Sequence, residues 1–187
     1  GFFAVGAARV ALSPAGVAQY EAALGDAMAQ AFVDPVALAQ RLVCVPALLT
    51  DTACFRDTIA KFGRRAWRRP LTGDELERYT GIAASIGAES GSASEALRYA
   101  LWGILQSPNF LYRVELGTAS PDDGGRLKFS GYELASRMAF TLWNTLPDEV
   151  LLDAAEQEQL ADAAGIAAQA ARMLADPRAR QGVENFI

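Results

Sequence analysis

Residues 92–108 read SASEALRYALWGILQSP. Ser92 followed three residues later by Glu95 fits the reciprocal capping box, in which two side chains satisfy backbone N–H groups at a helix start. Leu97, Leu101, Ile104 and Leu105 then recur at one-turn spacing, which gathers them on one face. The stretch closes on Ser107-Pro108, a capping side chain followed by a residue whose missing N–H costs nothing in the first turn. The spacing predicts a helix with a buried face, followed at once by another helix start.

The same punctuation recurs along the chain. Ser13-Pro14, Asp34-Pro35 and Asp176-Pro177 repeat the cap-proline pair, and Thr72/Glu75 and Ser130/Glu133 repeat the capping box. Thr145-Leu146-Pro147-Asp148 is a looser version. Phe55, Ile59, Phe62 and Ala66 follow one another at helical steps. In YELASRMAFTLWN, residues 132–144, apolar side chains spread around most of the helix, so this segment is expected to be the central, best-buried one. No segment alternates convincingly over strand length. The reading is therefore all-α, an irregular bundle of about seven or eight helices.

Links at 87–92 (GAESGS) and 117–129 (GTASPDDGGRLKF) punctuate the bundle, and the second divides it. Residues 1–50 read as the end of an upstream helical module and 51–117 as an arginine-rich helix with the helices after it. Residues 118–187 read as the central helix and the C-terminal helices, the whole forming one packed unit. No repeat of 20–50 residues is evident.

Composition narrows the chemistry. The chain has 187 residues, net charge −5 and no histidine. Without histidine, Ser-His-Asp and Cys-His catalysis, histidine-ligated zinc and C-x-x-C-H haem attachment are excluded within this chain. Two cysteines do not make a four-sulfur zinc site. No apolar run approaches the roughly 20 residues that span a bilayer. The opening GFFAVGAARVAL lacks an initiator Met and a basic leader, and the chain stops at GVENFI inside a helical pattern. Both ends read as the edges of a fragment.

The stretch with the most chemistry is GRRAWRRPLTGDE, residues 63–75. On a helix from about Phe55 to Arg69, Arg64, Arg65, Arg68 and Arg69 fall within an arc of about 140°, with Lys61 inside it. Three uses compete. Structurally, cations complement the negative end of a helix and arginine forks clamp carboxylates or carbonyl oxygens of neighbours. Asp74, Glu75, Glu77, Glu115 and Glu133 are the available acids, and this use ranks first. An anion or acidic-partner site on the same face ranks second. Nucleic acid ranks last, because net charge is negative and Trp67 alone interleaves as a stacking residue.

Cys44 and Cys54 stand ten residues apart, on either side of a proline-containing loop and a helix start near Asp51 or Thr52. A loop-closing disulfide and two thiols fit that spacing equally, and Cys54 at a helix N-terminus would have an activated thiol. Asp122 and Asp123 lack the spaced ligand pattern of an EF-hand and read as a solvated turn. Asp148 and Glu149, and the run Asp153, Glu156, Glu158, read as helix N-terminal and surface charges. Trp67, Trp102 and Trp143 read as core.

Several blocks together carry a resemblance. FGRRAWRRPLTGDELERY, LQSPNFLYRVELG, FSGYELASRMAFTLWNTLPDEVLL and RMLADPRARQGVENFI occur in this order, preceded by LSPAGVAQYEAALGDAMAQA. The chain is similar, from about Leu12 to Phe186, to large multidomain proteins of unknown function best known from planctomycetes and myxobacteria. Their modules are named for association with cytochrome c domains. The resemblance implies export and an oxidising compartment outside the cytoplasm, and pairing of Cys44 with Cys54, since such proteins commonly have cysteines at these places. It implies haem elsewhere in the full-length protein and carries no cofactor, metal or catalytic residue over to this chain, which reads as a helical scaffold or interaction module; the alternative is part of an oxidoreductase whose redox site is completed by other domains. The expected partners are other domains of the same polypeptide or a redox protein. The position of Asn109 is often histidine in relatives.

Overall fold

The computed structural model describes residues 13–119 and 127–186. The opening apolar stretch and the Asp122/Asp123 turn lie outside those residues. Ten helices are described: α1 Pro14–Ala31, α2 Pro35–Ala39, α3 Thr52–Trp67, α4 Gly73–Ser90, α5 Ala93–Gln106, α6 Pro108–Leu111, α7 Gly131–Leu142, α8 Glu149–Glu156, α9 Ala163–Ala175 and α10 Pro177–Phe186. The fold is all-α. The count exceeds the expected seven or eight, and α2 and α6 are single-turn helices, each opened by one of the cap-proline pairs. A two-residue antiparallel ladder, β1 Thr118–Ala119 with β2 Leu127–Lys128, brackets the link before α7.

Local chemistry sets the helix starts. Ser13, Asp34, Ser107 and Asp148 accept backbone N–H groups at their helix N-termini. Thr72/Glu75 and Ser130/Glu133 form complete capping boxes. Ser92 accepts from Glu95 N at 3.2 Å, but Glu95 turns to Arg98 at 3.4 Å, so this box is half-formed. Asp162 caps α9, a start with no proline or box to mark it in the sequence.

Two apolar clusters result. In the first, α5 buries Ala96, Leu97, Ala100, Leu101 and Ile104 against α1, α3, α4 and α6. Its last-turn carbonyls, which have no partners inside the helix, are taken from outside. Trp67 Nε1 donates to Ile104 O at 3.0 Å and Tyr20 Oη donates to Leu105 O at 2.8 Å. The second cluster joins α7, α8, α9 and α10 around Ala135, Ala139, Trp143, Leu151 and Met173. This corrects the expectation for residues 132–144. Helix α5 has four neighbouring helices and buries six residues, whereas α7 buries three, Ala135, Ser136 and Ala139.

Candidate functional site

Helix α3 ends at Trp67, two residues short of the expected limit, and Arg68 adopts a left-handed conformation with φ 60° and ψ 21°. Pro70 disfavours helical geometry at Arg69, so the chain leaves the helix here. The four arginines therefore do not share one helical face. Arg64 and Arg65 stay on α3, while Arg68 and Arg69 are carried away by the turn.

Arg68 is buried, with 5% of its surface exposed. Its Nη1 donates to Ala66 O at 3.0 Å and Phe110 O at 3.3 Å; its Nη2 donates to Asn109 O at 2.6 Å and Tyr112 O at 2.8 Å. These oxygens belong to the end of α3 and to α6 and the residue after it, where carbonyls lack helical partners. A left-handed arginine costs about 1–2 kcal/mol, which four charge-assisted hydrogen bonds offset. Burial, then the like charges of Arg113 and Arg69, lowers the Arg68 pKa.

Arg69 makes a two-pronged contact with Glu75, 2.8 Å to each oxygen. The same carboxylate accepts Thr72 N at 2.8 Å and closes the α4 capping box. The bond to Arg69 outweighs burial and holds the Glu75 pKa at about 2. Arg69 also lies 5.2 Å over the Trp67 ring, whose edge packs on Tyr79.

Arg64 crosses to the second cluster. It meets Glu149 at 2.7 Å, Asp153 at 2.7 Å and Glu156 at 2.9 Å, with its side chain 15% exposed. Burial alone would lower its pKa; the bond to Asp153 and the charges of Asp153, Glu156 and Glu149 raise it instead. These acids, read from sequence as surface charges, line one face of α8 at +4 and +3 spacing. That spacing was the available signal. Of the acids expected to serve the arginines, Glu75 alone does so. Glu77 pairs with Arg56, Glu115 with Arg137, and Glu133 accepts backbone N–H groups of Leu116, Gly117 and Ser130.

Arg65 differs from the other three. It is exposed and makes no ion pair or hydrogen bond among the described residues. It borders a cavity of about 640 Å³ between α1, α2 and α3, together with Arg41 and Lys61. A second cavity of about 400 Å³ lies where Trp67, Arg68, Arg69 and Asn109 face Tyr132, Glu133 and Ser136 of α7. Every Nη of Arg68 and Arg69 is already bonded within the chain, so this second cavity offers no free fork.

Cys44 and Cys54 form a disulfide, with Cα atoms 5.9 Å apart. The loop they close is further fixed by Asp51, whose carboxylate accepts Ala47 N and Leu48 N, both at 2.9 Å, rather than capping α3. Thr58 of α3 donates to Cys44 O at 3.0 Å.

A second arginine set was not anticipated from sequence. Asp148 accepts from Arg172 at 2.9 and 3.1 Å and from Arg178 at 3.2 Å, while capping α8 through Leu151 N. Arg178 stacks 3.5 Å over the Trp143 ring, and Trp143 Nε1 donates to Met173 O at 2.9 Å. Burial opposes ionisation of Asp148, but Arg172, Leu151 N and Arg178 together lower its pKa.

Among the described residues, no group of three or more cysteine and carboxylate residues converges as a metal site, and no helix is long and apolar enough to cross a membrane. Two family models match the chain. Residues 54–115 match PSD5, described as a protein of unknown function (DUF1595), and residues 129–187 match PSD4, described as a protein of unknown function (DUF1592). No curated protein and no solved structure matches it. The first match contains the arginine turn and α5; the second contains α7 to α10 and the carboxylates that receive Arg64.

Proposed function

We propose that the chain is a helical scaffold and interaction module of an exported, cytochrome-c-linked multidomain protein, with no complete active site of its own. The observation that carries this reading is that Arg64, Arg68 and Arg69 are spent on oxygens of the chain itself. They fix α3 to α6, α4 and α8, and so hold the two matched regions in one arrangement. The module then presents its surface to other domains of the same polypeptide or to a redox protein. Arg64, Arg65, Arg68 and Arg69 do not act together on a bound anion in this reading.

The disulfide supports an oxidising compartment, the periplasm or cell surface. Haem belongs to another segment: with no histidine and both cysteines paired, this chain offers neither c-type attachment nor the usual axial ligand.

Melting of alanine variants tests the assignment. Arg68→Ala leaves four carbonyls without their donor and is expected to lower Tm by about 6–12 °C; Arg64→Ala, by about 3–6 °C. Arg65→Ala is expected to stay within about 1 °C of the parent. Parent-like melting of both Arg64→Ala and Arg68→Ala removes the scaffold role of the arginines. For the complete protein, absence of both an export signal and haem absorbance removes the cytochrome link.

A further inference from the structure

The cavity between α1, α2 and α3 has an apolar floor and a cationic edge. Met28, Phe32, Leu42, Phe62, Leu105 and Phe110 line it, and the aromatic rings are half-buried rather than closed over. Its charged residues are Arg41, Lys61, Arg65 and Glu149. Glu149 is already engaged by Arg64, while the three cations are exposed and have no ion pair among the described residues. Next to it, Val33, Val36 and Val43 are 79%, 67% and 51% exposed, an apolar margin of the kind that marks interaction sites.

We infer that this groove docks an acidic amphipathic helix of a partner domain or protein. An apolar stripe of the incoming helix enters between α1 and α3, and its flanking carboxylates meet Arg41, Lys61 and Arg65. Charge selects this occupant. The opening twelve residues of the chain carry Arg9 and no acid, so they do not complement the edge. A cavity of about 640 Å³ suits an inserted helix face better than a lipid surface, which an exposed convex apolar tip would enter. The disulfide and the Thr58 to Cys44 hydrogen bond hold the Leu42–Cys44 wall against α3, so the groove is preformed.

This inference rests on the module presenting a surface, and its test is separate from that of the arginine locks. The probe is a labelled synthetic helix with Leu or Phe at i, i+3, i+4 and i+7 and Glu elsewhere, titrated with the intact chain by fluorescence anisotropy. Saturable binding is expected, at least about tenfold tighter than for the same peptide with Lys in place of Glu. Lys61→Glu with Arg65→Glu is expected to weaken binding about tenfold or more while lowering Tm by no more than about 4 °C, since Arg65 lies in the last turn of α3, and added salt is expected to weaken binding progressively. Arg41→Glu provides an independent variant on the opposite wall. Equal binding of both peptides, no saturable binding, or unchanged affinity in all charge-reversal variants overturns the proposal. So does removal of residues 1–12 being required before the peptide binds, or groove-dependent binding to anionic vesicles in place of the peptide. If docking fails while Arg68→Ala still destabilises, the groove reading alone is lost.

Discussion

Arg68 shows how a single residue trades backbone strain for hydrogen bonds. Its position in the left-handed region is expensive for any side chain with a Cβ, yet it brings the guanidinium to the carbonyls of Asn109, Phe110 and Tyr112, which accept no other side-chain donor among the described residues. Glu75 is the acid-sensitive counterpart. Its folded pKa, about 2, is depressed from an ordinary 4.5, so the stabilisation is complete above pH 4.5 and is lost as pH falls through about 2. With Glu75 21% exposed, the loss is on the order of 2 kcal/mol. Melting between about pH 6 and about pH 2.5 checks this: Tm of the parent is expected to fall more steeply than that of Glu75→Gln, because the variant has no proton to take up at this site. Parallel curves would show that the Arg69–Glu75 contact contributes nothing to folding. At this scale the sequence displayed the arginines but misplaced two of them. Pro70 was the signal that the helix stops short, and a helical wheel drawn through it loses that signal.

Helix starts were legible because capping is local. Ser13, Asp34, Thr72, Ser107 and Ser130 each find their partner within three residues, so the spacing in the chain is the spacing in space. The faces of α3 and α5 were legible for a similar reason, since helical period fixes which apolar residues share a side. Crossings were not. Gly182 on α10 sits where a Cβ would collide with the carbonyl oxygen of Leu142 at the end of α7. Because the obstacle is backbone, Gly182→Ala is expected to push α10 off α7 and cost about 2–3 kcal/mol despite the better helix propensity of alanine. Urea unfolding of the variant measures this; an unchanged or raised midpoint would mean that α10 does not need to lie so close.

Over the whole molecule, stability depends on ties between distant segments. The Cys44–Cys54 bridge closes a ten-residue interval, for which the loop-entropy model gives about 2.5–3 kcal/mol. Reduction, or Cys44→Ser with Cys54→Ser, is expected to lower Tm by about 5–10 °C, with the effect of reductant absent in the double variant. Equal melting in the oxidised and reduced parent would show that the loop is held by Asp51 and Thr58 alone. Arg64 is the other long tie, spanning 85 residues to Glu149 and joining the first apolar cluster to the second.

By itself the sequence determined the helical class, most helix starts, the buried faces of α3 and α5, and the absence of histidine chemistry. Those properties depend on composition, or on neighbours within one or two turns, and a linear string records both. Tertiary structure decided which acids receive which arginines, which helix lies deepest, and which cations are left exposed beside an apolar groove. The Arg64 and Arg68 contacts join positions 41 to 92 residues apart, and chain spacing carries no record of that proximity.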